Sequence, residues 1–198
     1  MLNKIDEGYI KFNCDWKNKP LQIAIPDELL KVRDKLHQLK LIGHLKKLNI
    51  GYGNISIKTN AGLIISGTQT GHIFPITKEA FTLITSYNIK ENKVFCEGLV
   101  KASSETMTHA AIYETSESIK AVIHIHSKKL WNKLLYKVPT TAATIPYGTP
   151  EMANEIKRLL NENKDGELKI IAMAGHQDGL ISYGNSINEA YVNLKEKF

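Results

Sequence analysis

The chain is 198 residues long, 42% apolar and 23% charged, the composition of an ordinary globular protein with length for one full hydrophobic core. No apolar run approaches the length of a membrane span, and the first twenty residues carry charges every few positions, so they do not read as a signal peptide and the expected compartment is the cytoplasm. The net charge of +6 does not indicate nucleic acid, because only Arg33 and Arg158 among the 26 basic residues are arginine and the lysines are scattered among acids; the planar fork that reads phosphates and guanines is nearly missing.

Residues 1–25 have no clear period and read as an extended N-terminal arm with room for a short strand, while residues 26–198 read as one domain. From Pro26 to Gly43, Leu29, Leu30, Val32, Leu36, Leu39 and Ile42 recur at helical spacing, with Pro26 and Asp27 marking the start and Gly43 the stop. Asn54 to Lys58 and Leu63 to Ser66 alternate about the turn Thr59 to Gly62, which is a hairpin signal. Phe81 to Tyr87 and Val94 to Cys96 are further strands. Ser103-Ser104-Glu105 opens a helix that runs to about Thr115, and Ala121 to His126 is a strand. Thr149-Pro150-Glu151 combines a hydroxyl cap with proline at the first helical position, and that helix runs to about Asn161. Leu168 to Met173 and Leu180 to Tyr183 are strands, and Ser186 with Glu189 forms a capping box before the last helix. The pattern predicts a single three-layer α/β domain: a mixed, largely antiparallel central sheet with helices on both faces. Cys14 and Cys96 are remote in sequence and form no Cys-x-x-Cys pair, so reduced thiols are expected.

The chemistry concentrates in Val122-Ile-His124-Ile-His126. Side chains two apart in a strand share a face, so His124 and His126 project together while Ile123 and Ile125 bury on the other side. Two adjacent imidazoles on a central strand offer paired nitrogen ligands to a metal such as zinc. Glu105 sits at the start of a helix, where the dipole favours an acid. The free backbone N–H groups and hydroxyls of Ser103 and Ser104 there can also hold a phosphate. His109 lies one turn beyond Glu105 and either orients that carboxylate or packs.

The ordered set GYGNIS (51–56), ASSET (102–106), VIHIHS (122–127) and GHQDGLISYG (175–184) resembles the class II aldolase/adducin family over about residues 28–195. That family includes fuculose-phosphate and rhamnulose-phosphate aldolases, ribulose-phosphate epimerases and methylthioribulose-phosphate dehydratase. The resemblance implies a divalent metal held by Glu105, His124, His126 and His176, zinc first, with manganese, iron(II) or cobalt as alternatives. It implies Glu105 as acid/base and the substrate phosphate at Gly53, Asn54, Ser103 and Ser104, completed by Ser66-Gly67 or Thr70-Gly71. The implied activity is a metal-dependent lyase that cleaves a small phosphorylated sugar by a retro-aldol route through a metal-stabilised enediolate. Dehydration or epimerisation on the same chemistry, and a non-enzymatic adducin-like module, are the other readings. A homo-oligomer, a tetramer by analogy, is implied as well.

The sequence departs from the family pattern in three places. The last histidine usually precedes the glycine directly, whereas here Gln177 and Asp178 intervene before Gly179; Asp178 is therefore the alternative ligand, and His176 is preferred because it keeps three imidazoles together. The segment from His126 to Pro146 is short, and its Tyr136 matches no family tyrosine. The chain also stops soon after the last helix, so the proton donor to the leaving aldehyde falls to Tyr147, Tyr52, His72 or a residue of a neighbouring subunit.

Overall fold

The computed structural model describes residues 8–163 and 169–198. Residues 1–7 of the arm, and Leu168 at the head of an expected strand, lie outside the described residues. Eight strands form one sheet: β1 (Asn13–Asn18), β4 (Asn54–Thr59), β5 (Gly62–Ser66), β6 (Phe81–Asn88), β7 (Lys93–Gly98), β8 (Ala121–His126), β9 (Ile170–Ala172) and β10 (Gly179–Gly184), with β2 (Gly43–Leu45) and β3 (Ile50–Tyr52) as a separate two-stranded ribbon. The order across the large sheet is β1-β7-β6-β5-β4-β8-β10-β9, and every pairing is antiparallel except β1 with β7. The expected α/β architecture with a mixed, largely antiparallel sheet is the one observed.

Helices cover both faces. On one side α2 (Thr106–Thr115) and α4 (Pro150–Glu162) pack on each other and on Ile65, Ile84, Val122 and Ile181. On the other side α1 (Asp27–Gln38), α3 (Lys128–Leu134) and α5 (Ile187–Lys195) cover Ile55, Ile64, Ile123, Ile125 and Leu180. The alternation along β8 makes this division: Ile123 and Ile125 face α1 and α5, and Val122 faces α2. Helix α2 has no polar face, because it lies between the sheet and α4 with eight of its ten residues buried.

Local signals set most helix ends. Thr149 accepts a hydrogen bond from Met152 N, with Pro150 at the first position of α4, and Ser186 accepts one from Glu189 N. The reciprocal bond of that box is shifted by one residue, for Glu189 Oε2 accepts from Asn185 N rather than from Ser186 N. Helix α1 is shorter than expected. It ends at Gln38, not at Gly43, because Lys40 takes a left-handed conformation (φ 58°), with Lys40 N donating to His37 O and Leu41 N to Leu36 O. These two bonds are a Schellman closure with lysine in the place usually held by glycine, so Ile42 buries from the following segment and Leu39 stays exposed. Leu29, Val32 and Leu36 remain the buried stripe, each worth about 1.5–3 kcal/mol relative to exposure.

Helix α3 and the β2–β3 ribbon had not been expected, whereas the arm does carry the short strand it had room for. Helix α3 starts where Ser127 Oγ accepts from Leu130 N. The arm supplies the edge strand β1, fixed by Trp16 Nε1 donating to Gly98 O at 2.8 Å. This pairing brings the two free thiols together, with Cys14 Sγ 3.6 Å from Cys96 Sγ.

Candidate active site

His124 and His126 stand on the α2 face of β8 with their Nε2 atoms 3.0 Å apart. His176 comes from the tight turn ahead of β10, and the ligand atoms of the three imidazoles lie within 4.8 Å of one another. Its ring stacks on that of His124 at 5.1 Å and meets that of His126 at 4.7 Å. Asp178 does not join this group. It occupies a left-handed turn position (φ 66°), and its carbonyl is engaged by Ser127 N at 2.9 Å. Glu105 caps α2, fully buried, with Oε1 3.5 Å from His176 Nδ1.

The donor set suits a divalent cation. His124 Nδ1–H donates to Leu180 O at 3.2 Å, which turns the Nε2 lone pair toward His126 and His176. Two nitrogens bound to one tetrahedral ion at about 2.05 Å subtend roughly 3.3 Å, close to the 3.0 Å between the His124 and His126 Nε2 atoms. Burial, and after it the charges of His126, His176 and His109, hold the His124 imidazole well below its ordinary range, so it is neutral as a ligand must be. Three imidazoles with a buried carboxylate are a set that zinc, manganese, iron(II) and cobalt all accept.

His109 serves a different purpose from orienting Glu105. Its Nδ1 shares a 2.7 Å hydrogen bond with Ser56 Oγ, which in turn bonds Tyr113 OH at 2.7 Å. This chain ties α2 to β4 beneath the site. Burial depresses the His109 pKa to about 3, so it is neutral there.

A second concavity adjoins the histidines. Gly53, Asn54, Gly67, Ser103 and Ser104 line it together with residues 68–71 and Gly8. Gly53 has φ +71°, and a Cβ there would lie 3.1 Å from His124 O and Leu41 O, so glycine alone lets β4 start this close to β8. Asn54 is buried and pairs across the ladder with His124. Ser66 is not in the lining; its Oγ accepts from Ile55 N at 3.1 Å and secures the hairpin. Both Gly67 and Thr70-Gly71 contribute, so the alternatives left open by the sequence occupy one loop.

Arg33 is a contributor that helical periodicity did not single out. Its guanidinium, 1% exposed, donates to Ile73 O at 2.6 Å, Thr70 O at 2.9 Å and Gly71 O at 3.2 Å. Asp34, which accepts from Ile76 N, lies 3.6 Å away. The loop that lines the cradle is thus pinned from below by a buried cation, whose pKa burial lowers to about 10. An arginine amid the apolar stripe of α1 was the available signal.

Of the three candidate proton donors, Tyr147 is buried and stacks on His176 at 4.3 Å, while the Tyr52 ring lies 5.8 Å from that of His126. His72 stands apart, edge-on to His44 at 5.6 Å, with Nδ1 3.0 Å from Gln69 O.

A histidine–carboxylate cluster beside a glycine- and serine-lined cradle, on a mostly antiparallel sheet covered by helices, defines a candidate metal site of the aldolase type. Residues 36–196 match the family of the class II aldolase and adducin N-terminal domain, and the chain belongs to that family. It is 30% identical over 158 residues to an L-fuculose phosphate aldolase from Methanococcus maripaludis, covering 72% of this chain and 78% of that one. In fold it is similar to an L-fuculose 1-phosphate aldolase (TM-score 0.66, 22% identity, 88% and 82% of the two chains). A sugar-phosphate aldolase from Thermotoga maritima gives a TM-score of 0.64 at 17% identity, covering 86% of this chain and 88% of that one.

Proposed function

We propose that this protein is a metal-dependent lyase that cleaves a small phosphorylated sugar by a retro-aldol route. The observation that carries the reading is the convergence of His124, His126 and His176 on one point, with Glu105 Oε1 3.5 Å from His176 Nδ1, one strand away from a cradle whose described lining is uncharged. The M. maripaludis relative is named for a reaction of this kind.

In this reading His124, His126 and His176 hold the ion, zinc first, with Glu105 as fourth ligand or as the partner that orients His176. A divalent ion held there would polarise a substrate carbonyl and offset the negative charge that develops on its oxygen. Glu105, buried at the mouth of α2, accepts or returns the proton at the reacting carbon or oxygen. Asn54, Ser103, Ser104 and the backbone N–H of Gly53 grip the phosphate, while Gly67, whose N–H donates to Ala80 O at 2.8 Å, shapes the wall; this reduces the entropic cost of aligning the carbonyl. The exposed apolar side chains Leu39, Leu45, Leu48 and Phe74 support assembly into a homo-oligomer, with a tetramer as the proposed form. No helix among the described residues is long and apolar enough to cross a membrane, and a cytoplasmic location is proposed.

The test is to incubate metal-loaded protein with a panel of ketose and aldose phosphates and read the products by mass. Two smaller fragments support cleavage. Loss of one water, or an isomer of unchanged mass, would replace the lyase reading with dehydration or epimerisation. No turnover of any phosphorylated sugar by protein with full metal content would sink the assignment.

A further inference from the structure

The N-terminal arm reaches the candidate site from outside the span that matches the family, which begins at residue 36. Gly8 lines the cradle. Its carbonyl accepts from Gln69 Nε2 at 3.2 Å and from Thr68 Oγ1 at 3.4 Å, both side chains of the cradle loop. Tyr9 N donates to Tyr147 OH at 3.2 Å. Lys11 O accepts from Asn92 Nδ2 at 2.8 Å, Phe12 enters the core, and Asn13 N donates to Asn92 O at 2.8 Å where β1 begins. Residues 8–13 are therefore held at each step and cross the site in a fixed direction.

This path delivers Lys11 to the junction of cradle and histidines. Its Cδ lies 3.8 Å from where a Cβ on Gly148 would be, and that point is 3.0 Å from Ser104 O. The side chain ends with Nζ 3.8 Å over the centre of the Tyr147 ring. His176 already fills one face of that ring, so the ammonium stands on the other. None of the described residues lining the cradle is charged. Lys101, the cation nearest in sequence, points toward Trp16, with Nζ 5.4 Å from its ring. A phosphate dianion held by neutral donors alone gives up much of its hydration without a counter-charge, and Lys11 brings an ammonium on a flexible stem beside Ser104.

We propose that residues Gly8–Lys11 form a wall of the substrate site and that Lys11 supplies the cationic contact to the substrate phosphate. The assignment rests on the phosphate reading of the cradle. Lys11 is then a binding residue contributed by an arm outside the matched family span, and selectivity for phosphorylated over neutral sugars depends on it.

The experiment is isothermal titration of inorganic phosphate into the full-length, metal-loaded protein at neutral pH, for wild type, Lys11→Gln, Lys11→Arg and Ser103→Ala. Lys11→Gln should bind phosphate about ten-fold to a hundred-fold more weakly, as expected for a lost charge-assisted hydrogen bond. Lys11→Arg should recover most of the affinity, and thermal melting should show all variants folded. If Ser103→Ala weakens binding and Lys11→Gln does not, the arm proposal is overturned while the cradle reading stands. Should Lys11→Arg bind as weakly as Lys11→Gln with melting unchanged, charge is not what Lys11 contributes and the proposal also fails. If wild type binds no phosphate, both readings fall together.

Discussion

Asn54 and His124 face one another across the antiparallel ladder of β4 and β8. Residues so paired have Cα atoms roughly 4.5–5.5 Å apart. The first residue of the candidate phosphate cradle and a candidate metal ligand are therefore coupled by main-chain hydrogen bonding rather than by a loop. A substrate phosphate and a substrate carbonyl bound at these two places have their separation fixed by the sheet, which is the pre-alignment that a carbon–carbon cleavage needs.

The metal assignment predicts about one divalent ion per chain. In the double variant His124→Ala with His126→Ala, elemental analysis should find the ion lost while circular dichroism stays native-like, since neither side chain belongs to the two hydrophobic clusters that hold the sheet and helices together. Full metal content in that variant would move the site elsewhere.

Glu105→Gln should reduce turnover by at least about a hundred-fold, the scale of a lost general acid/base, and leave most of the metal bound through three imidazoles. The amide keeps the volume of a fully buried side chain, so a loss of activity would not come from unfolding. Near-normal turnover would remove Glu105 from the chemistry.

In the cradle, Asn54→Ala with Ser103→Ala should raise KM for a phosphorylated substrate far more than for its unphosphorylated counterpart. Each lost hydrogen bond to a charged group costs about 1.5–3 kcal/mol. Equal effects on the two substrates would mean that these side chains do not touch phosphate.

His109 makes the fold acid-sensitive. Its folded pKa is depressed to about 3 from 6.5 by burial, so below pH 6.5 the unfolded chain takes up a proton that the folded chain refuses. Stability is therefore full above pH 6.5 and falls as pH drops from 6.5 toward 3, by up to about 1.4 kcal/mol per pH unit from this residue and about 5 kcal/mol in all. Urea melts of metal-free protein between pH 7 and 5 should show the decline, and His109→Gln should reduce its slope, the remainder coming from His124, which burial also holds neutral. An unchanged slope in that variant would count against His109 as its source.

Arg33→Met should loosen the cradle loop by removing the shared donor of Thr70 O, Gly71 O and Ile73 O, of which Thr70 O keeps the bond from Ile73 N. The expected cost is several kcal/mol, about 1–3 for each buried group left unsatisfied, read as a lower midpoint in denaturant. Hydrogen exchange in residues 67–73 should rise more than elsewhere. Uniform exchange across the chain would assign Arg33 to general packing instead.

The sequence by itself determined whatever depends on neighbours within about four residues. The shared face of His124 and His126 followed from the strand period of two, and the starts of α4 and α5 followed from the caps at Thr149 and Ser186. The alternation of apolar residues was enough to indicate a largely antiparallel sheet with helices on both faces. The end of α1 was hidden because Lys40, rather than glycine, carries the left-handed turn, held by hydrogen bonds whose pattern no composition signal marks. Only the tertiary structure chose His176 over Asp178 for the histidine cluster, since both precede Gly179 and the choice depends on a turn packed against β8 and Ser127. It alone set Ser66 on the Ile55 amide, Arg33 under the cradle loop, and Lys11 and Gly8 across the site from residues near the other end of the chain. Such contacts form because an eight-stranded sheet brings remote segments side by side, and side chains then meet partners that sequence distance does not reveal.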